Sequence, residues 1–181
     1  MLESIWNSYG QKRQAAYSKF IKMYILNSSE QKEAIHNLVL TETLDGGWSR
    51  KYRNPGTNEN WLEFYVSHGH GGVTILRNDP PPANIAEWLE ESFRSNRQDD
   101  IVGLALELSE KYETWSEVID YLEANKNRFL SEQINTFIER LTILHPVNRR
   151  PTMNKHITEV ERDYQFFCTL SERAKHLQNP A

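Results

Sequence analysis

Hydrophobic residues recur at steps of three and four over the first part of the chain, which is the spacing of a helix with one buried face. The pattern predicts a helix from Ile5 to Leu26. A second helix is predicted to begin at Ser28, because Gln31 follows three residues later in the spacing of a capping box. The N-terminal part of the chain, about residues 2–42, is therefore predicted to be a helical pair.

The same periodicity returns in the second half of the chain and predicts a helical array over about residues 84–177. Asn84 and Thr114 each precede a glutamate by three residues, so both have the position of a capping residue. Asp99 or Asp100 is predicted to cap a further helix, which lies between the helices that begin after Asn84 and after Thr114. Short connections between these helices favour antiparallel packing of sequence neighbours.

The middle of the chain has a different pattern, and six of its eight glycines lie between residues 46 and 72. Residues 62–67 alternate, with Leu62, Phe64 and Val66 on one side of a strand, and residues 73–76 form a second, β-branched-rich run. A β-hairpin joined through the sequence SHGHGG (67–72) fits both runs, and residues 46–53 add a possible third strand. A helix over about residues 60–68 is the competing interpretation.

These patterns together predict one domain that is mainly α. Its predicted architecture is a helical bundle or a short helical-repeat-like array, with a small central β-hairpin or three-stranded sheet at about residues 46–77. The sheet belongs to a glycine- and aromatic-rich segment of about residues 46–82. A length of 181 residues suits a single core, and no pattern recurs at the fixed period of a true repeat protein.

Composition restricts the class of protein. Hydrophobic residues make up 38% of the chain and charged residues 25%, as expected for a globular domain. Apolar runs fall far short of the roughly 20 residues that a membrane helix needs, and the N-terminus lacks the pattern of a secretory signal. The single cysteine, Cys168, has the spacing of a buried helix position. The sequence therefore predicts a cytoplasmic protein without a membrane segment.

The histidines of the glycine-rich stretch are the most obvious candidates for a chemical site. His68 and His70 stand two residues apart, so on a strand both point to the same side, where they are placed to bind a metal with further ligands. Paired cysteines and the helical His-Glu-x-x-His motif are absent, and no Gly-Lys-Ser/Thr marks a phosphate loop. We favour a polar turn as the interpretation of this stretch. A metal-dependent enzyme at His68 and His70 is a third hypothesis for the function, and no cofactor is predicted.

Charge is distributed unevenly along the chain. The net charge is −4, and residues 87–140 contain thirteen acidic and six basic residues. An acidic helical surface repels nucleic acid and attracts a basic protein. The sequence therefore predicts a non-enzymatic protein-binding module that inhibits or regulates a partner, such as an immunity or antitoxin-type inhibitor of a basic toxin, for example a nuclease. The residues predicted to contact the partner are Glu107, Glu110, Glu113, Trp115, Glu117, Asp120, Tyr121 and Glu123.

The alternative hypothesis is a nucleic-acid-associated factor. Five neighbouring aromatic and basic residues support it, since bases stack on aromatic rings while cations meet phosphates. These residues are Trp48, Arg50, Lys51, Tyr52 and Arg53. A sequence pI of about 5.9 opposes the idea, because nucleic-acid binders usually carry a larger basic surface. The oligomeric state is left open by the sequence.

Overall fold

The protein contains one antiparallel sheet of five strands in the computed structural model, which describes residues 22–68 and 71–178. The strands are β1 (Tyr24–Ile25), β2 (Val39–Leu44), β3 (Ser49–Arg53), β4 (Asn60–His68) and β5 (Gly71–Asp79). Their spatial order is β1-β5-β4-β3-β2, so the long hairpin formed by β4 and β5 lies in the middle and β2 lies at an edge. The register of this hairpin runs from Asn60 opposite Asp79 to His68 opposite Gly71.

Six helices accompany the sheet in this part of the chain. One lies between the first two strands, and five follow the last strand. They are α1 (Ser28–His36), α2 (Ile85–Arg94), α3 (Gln98–Ser109), α4 (Trp115–Asn125), α5 (Ser131–Arg140) and α6 (Ile157–Gln178). Cys168 lies half-buried on α6. None of these helices is both long enough and apolar enough to cross a bilayer.

The sheet has helices on both faces because its side chains alternate between the two sides. Val66 and Ile75 face the C-terminal helices and join their large hydrophobic core. Trp61 and Leu76, which point the other way, pack with Tyr52 in a smaller core that α1 covers. The arrangement is therefore an α+β fold with the sheet between α1 and the C-terminal helices.

The short strand β1 is held in place by two carboxylates at the start of α3. Asp100 Oδ1 accepts hydrogen bonds from the backbone amides of Met23, at 3.1 Å, and Tyr24, at 2.9 Å. Asp99 Oδ2 accepts one from the amide of Leu26 at 3.1 Å. The sequence predicted that Asp99 or Asp100 caps α3, and this prediction is wrong. The oxygens of both side chains bind the chain at β1, beside the helix, instead.

The predicted fold class, mainly α with a small sheet, is wrong. The sheet has five strands and begins at Tyr24, whereas the prediction limited it to about residues 46–77. Of the predicted helical pair over residues 2–42, the second helix is confirmed as α1, whereas β1 and β2 replace predicted helix on either side of it. Residues 1–21 lie outside the description. Helical spacing misled here because α1 ends at Asn37, whose amide binds Ala34 O, and the chain then reverses into β2.

The predicted central hairpin and its third strand are confirmed, and residues 60–68 form a strand rather than a helix. The residues at its tip, 69 and 70, lie outside the description. Asn84 caps α2 as predicted, because its Oδ1 accepts a hydrogen bond from the amide of Glu87 at 2.9 Å.

The other two predicted capping boxes are wrong. Thr114 is the last residue of a 3-10 turn, and its hydroxyl donates to Lys111 O. The N-cap of α1 is Asn27 rather than Ser28, and the Gln31 side chain binds the carbonyl groups of the sheet instead.

Candidate functional site

Two of the carboxylates predicted to contact a partner are used inside the molecule. Glu107 is only 6% exposed and lies between α3 and the sheet. Glu110 is exposed, but its Oε1 accepts a hydrogen bond from the Ser67 amide at 2.9 Å, which ties the end of β4 to the end of α3. Neither side chain is therefore free to meet a partner without breaking a contact of the fold.

Two more of these carboxylates share one internal cation. Arg173 Nη2 lies 2.6 Å from both Asp120 Oδ1 and Glu123 Oε2, so α6 neutralises part of the acidic face of α4. Hydrogen bonds to these two carboxylates raise the pKa of Arg173 above its ordinary value. Glu113 and Glu117 are exposed. The predicted acidic surface is thus reduced to two carboxylates that point to solvent.

The two predicted aromatic anchors are also engaged in the fold. Trp115 is buried, and its Nε1 donates to Leu108 O at 2.8 Å. Tyr121 is half-buried with its hydroxyl bonded to Glu90, and burial together with that carboxylate raises the pKa of Tyr121 to about 12. Both rings therefore stabilise the helical layer.

A buried group of charges links the sheet to α3. Glu107 Oε1 accepts from Arg77 Nη1 at 2.6 Å and from Lys111 Nζ at 2.9 Å, while Glu107 Oε2 accepts from the Tyr24 hydroxyl at 3.0 Å. Arg77 also binds Asp79 at 2.9 Å. We call these five residues the Arg77 cluster. Burial, and then the negative charge of Glu107, raises the pKa of Tyr24 well above its ordinary value.

The surroundings of the Arg77 cluster favour a structural role. The Arg77 guanidinium lies 5.6 Å from the ring centre of Phe64 and 5.7 Å from that of Trp88, so aromatic rings enclose it. Both oxygens of Glu107 already accept hydrogen bonds from cations or a hydroxyl. A catalytic base needs a carboxylate that can reach a substrate, and this one is closed off.

The histidine hypothesis gains no ligand set from the fold. His68 is the last residue of β4, and His70 lies outside the described residues. Within residues 22–68 and 71–178, no group of three or more His, Cys, Asp or Glu side chains is placed to hold a metal ion.

The aromatic and basic stretch does not form one surface. Because side chains alternate along β3, Arg50 and Tyr52 face one side of the sheet and Lys51 and Arg53 face the other. Tyr52 is buried against α1, and its hydroxyl donates to Glu63 Oε2 at 2.8 Å.

The cations of this stretch also have acceptors of their own. Arg50 pairs with Glu63 at 3.1 Å, Lys51 pairs with Glu42 at 3.0 Å, and Arg53 donates to an asparagine. Two carboxylates thus neutralise most of the positive charge that the nucleic-acid hypothesis needs.

The edge strand β2 is the least covered element of the sheet, and sequence reasoning missed it. Among residues 22–68 and 71–178, only β3 pairs with it. Val39 is 55% exposed and Leu40 53% exposed, and since consecutive residues of a strand face opposite sides, neither face of β2 is covered there. The run VLTETL contains the β-branched and threonine residues typical of a strand, which was the available signal.

An exposed aromatic pair lies at the other end of the same arm. The turn at Asp45–Gly47, where Gly46 and Gly47 have φ angles of 65° and 103°, leads directly into Trp48. Trp48 is 71% exposed, and its ring centre lies 5.9 Å from that of Tyr65 on β4. We call Val39, Leu40, Trp48 and Tyr65, together with the open edge of β2, the sheet-edge surface.

The sheet-edge surface has the backbone geometry that strand addition requires. An edge strand presents backbone N–H and C=O groups that an extended segment can pair with. A register shift between Leu40 and Glu42 marks a β-bulge, and the Glu42–Lys51 ion pair joins β2 to β3 beside it. Bulges and edge charges restrict indiscriminate pairing between strands.

No family model, curated protein or solved structure matches this chain.

Proposed function

We propose that this protein is a non-enzymatic protein-binding module that inhibits or regulates a partner, and that it binds the partner at the sheet-edge surface. The observation that carries the proposal is the open edge of β2, where two consecutive apolar residues, Val39 and Leu40, are each more than half exposed. Exposed apolar side chains beside unpaired strand backbone are the two elements of recognition by strand addition.

The binding mode follows from the geometry of the arm. An extended segment of the partner pairs with β2, and the backbone hydrogen bonds supply affinity. Trp48 at the tip offers a large rigid ring, and tryptophan is among the residues that most often dominate binding energy in interfaces. The charged pairs Arg50–Glu63 and Lys51–Glu42 provide a polar rim around these contacts.

The proposed interface replaces the acidic helical face. Four of its six carboxylates hold contacts of the fold, so a basic partner meets less free negative charge than the sequence count implies. The more specific idea of an immunity or antitoxin-type inhibitor of a basic toxin rests on the net charge of −4 alone. We assign the binding to the cytoplasm, since the single cysteine allows no intramolecular disulfide.

Photo-cross-linking in the native cell tests the proposal. A benzophenone amino acid placed at position 48 should cross-link one protein partner, and the same group at the exposed Lys126 should not. Leu40→Lys should abolish the cross-link at position 48, because it places a charge within the apolar contact. The free energy of unfolding of this variant should lie within about 0.5 kcal/mol of the wild-type value, since Leu40 is exposed.

The outcomes separate binding from regulation. Equal cross-linking from positions 48 and 126, or a cross-link that survives Leu40→Lys, would contradict the sheet-edge surface as the interface. A cross-linked partner whose activity does not change when the purified protein is added would support binding and reject the inhibitory or regulatory role.

A further inference from the structure

The connection between α5 and α6 combines positive charge with exposed apolar side chains. From residue 140 to residue 158 the sequence contains no Asp or Glu, while it contains Arg140, Arg149, Arg150 and Lys155. This is the opposite of the acidic excess in the preceding helices. The segment is therefore a local positive region on a protein whose net charge is negative.

The fold holds this connection against the first turns of α6. The Asn148 side chain donates to Val160 O at 3.3 Å. Arg150 and Lys155 bind the two oxygens of Asp163 at 2.7 and 2.6 Å, and Arg150 also lies 4.6 Å from the ring centre of Phe166. The connection is thus a fixed part of the surface, and two of its four cations are used to fix it.

The other two cations, Arg140 and Arg149, are exposed. Arg149 Nη2 donates to Thr142 Oγ1 at 3.2 Å, two residues beyond Arg140, and its guanidinium lies 5.1 Å from the ring centre of Trp115. Neither Arg140 nor Arg149 has a carboxylate partner within the described part of the chain. The nearby Glu159 already accepts a hydrogen bond at its Oε2 from the His156 amide.

Three large apolar side chains are exposed in the same region. Met153 is 84% exposed and Ile157 75% exposed, and Val147 is also exposed. Val147 precedes the Asn148 contact with α6, and Ile157 begins that helix, so the fold holds the segment around Val147 against the first turn of α6. Exposed aliphatic side chains on the same connection as two exposed arginines favour a binding surface.

We propose that this region binds an acidic protein segment that carries aliphatic side chains. We call it the α5–α6 surface, and it consists of Arg140, Val147, Arg149, Met153 and Ile157. Charge complementarity selects the acidic partner, and the apolar side chains bury its aliphatic residues. Nucleic acid fits less well, because the apolar members are aliphatic and cannot stack on bases as aromatic rings do. The α5–α6 surface shares no residue with the sheet-edge surface.

Selection of random peptides on the immobilised full chain tests this proposal without knowledge of the natural partner. Peptides rich in Asp and Glu with Leu, Ile, Val or Met should be enriched. A synthetic peptide from the enriched set should bind about tenfold more weakly to Arg140→Glu/Arg149→Glu, and more weakly at high salt. Met153→Ser/Ile157→Ser should also weaken it, whereas the matched charge reversal Lys126→Glu should not.

The contrary results are equally defined. Enrichment of peptides without acidic residues, or no enrichment at all, would overturn the proposal, as would full binding to Arg140→Glu/Arg149→Glu. Binding of single-stranded RNA or of phosphatidylserine vesicles through the same arginines, without acidic peptides, would overturn it in favour of another anion. Leu40→Lys should leave peptide binding unchanged, which separates this test from that of the sheet-edge surface.

Discussion

Glu107 shows how a single buried residue determines the local electrostatics of this protein. Its carboxylate is stabilised in the interior because Arg77, Lys111 and the Tyr24 hydroxyl all donate to it. A buried charge is costly unless it is paired, so each member of the Arg77 cluster depends on the others. The sequence alone places Glu107 on an acidic helix, and only the neighbouring strand shows that it is a core residue.

Glu107→Gln tests this dependence. The substitution keeps the shape of the side chain but removes the charge that faces Arg77, so we expect the free energy of unfolding to fall by about 3 kcal/mol. Urea denaturation measures the change. Glu117→Gln is the matched control on the exposed face of α4 and should alter it by less than about 0.5 kcal/mol. Equal effects of the two substitutions would contradict a buried ionic role for Glu107.

Asp100 is predicted to make stability depend on pH. Burial raises the pKa of Asp100 above its ordinary value of 3.8, against the opposing hydrogen bond from the Tyr24 amide. The folded state therefore holds the proton more tightly, and its free energy of unfolding falls as pH rises from 3.8 through the folded pKa. Asp100→Asn keeps an acceptor oxygen and lacks this loss, so the variant should gain stability relative to wild type between about pH 3 and 7.

Asp163 supplies a control of opposite sign. Lys155 and Arg150 hold the pKa of Asp163 below its ordinary value of 3.8, so its contribution is present above that pH and is lost as pH falls through the folded pKa. Asp163→Asn should therefore lose stability relative to wild type as pH rises over the same range. Denaturation of both variants across a pH series measures the two slopes, and slopes of the same sign would contradict the assignment.

At the scale of elements, two glycines show where the packing between neighbouring elements is rigid and where it can give way. A Cβ at Gly103 on α3 would lie 2.4 Å from Tyr24 Cγ, and Tyr24 is fully buried on β1. A Cβ at Gly72 on β5 would lie 1.9 Å from the ring of Tyr65, but that ring is exposed and can turn away. The absence of a side chain at position 103 is therefore what allows α3 to approach β1.

Gly103→Ala and Gly72→Ala should consequently differ in effect. We expect Gly103→Ala to lower the free energy of unfolding by about 1–3 kcal/mol, because α3 or β1 must move to accept the methyl group. Gly72→Ala should cost less than about 1 kcal/mol, since only an exposed ring is displaced. Thermal or urea unfolding measures both. A larger loss for Gly72→Ala than for Gly103→Ala would contradict this account of the packing.

The elements also show which patterns are readable along the chain. The hairpin of β4 and β5 was predictable because its residues alternate and its partner strand is adjacent in sequence. The strand β1 was not, since it pairs with β5 and the distant Asp100 and Asp99 bind the amides of Tyr24 and of the adjacent Leu26. Local periodicity carries no information about such a partner, so the helical interpretation of this segment had nothing to oppose it.

For the whole molecule, the two cores imply a gradient of local stability. Strand β5 lies inside the sheet, and Ile75 and Leu76 are fully buried on its opposite faces. Strand β2 lies at the edge of the sheet, where Val39 and Leu40 are more than half exposed. Local openings occur most readily where few apolar contacts hold the backbone. The proposed binding edge is thus also the part of the sheet that opens at least cost.

Hydrogen exchange should reveal this gradient. We expect the amides of β2 to exchange much faster than those of β5, measured by mass spectrometry or NMR on the full chain. When the partner identified by cross-linking is added, protection should increase in β2, because the added strand pairs with its free backbone groups. Protection that rises only in the C-terminal helices would place the interface elsewhere.

The sequence by itself determined the C-terminal helices, the Asn84 cap and the central hairpin, because each depends on residues that are neighbours along the chain. Tertiary structure decided the rest. From the sequence, the acidic residues of α3 and α4 are predicted to form one surface. In the fold, Arg77, Ser67 and Arg173 lie on other elements and pair with several of these residues. Likewise, β2 is an exposed edge only because the strand order places it last, and such long-range pairings are not encoded in the period of a single segment.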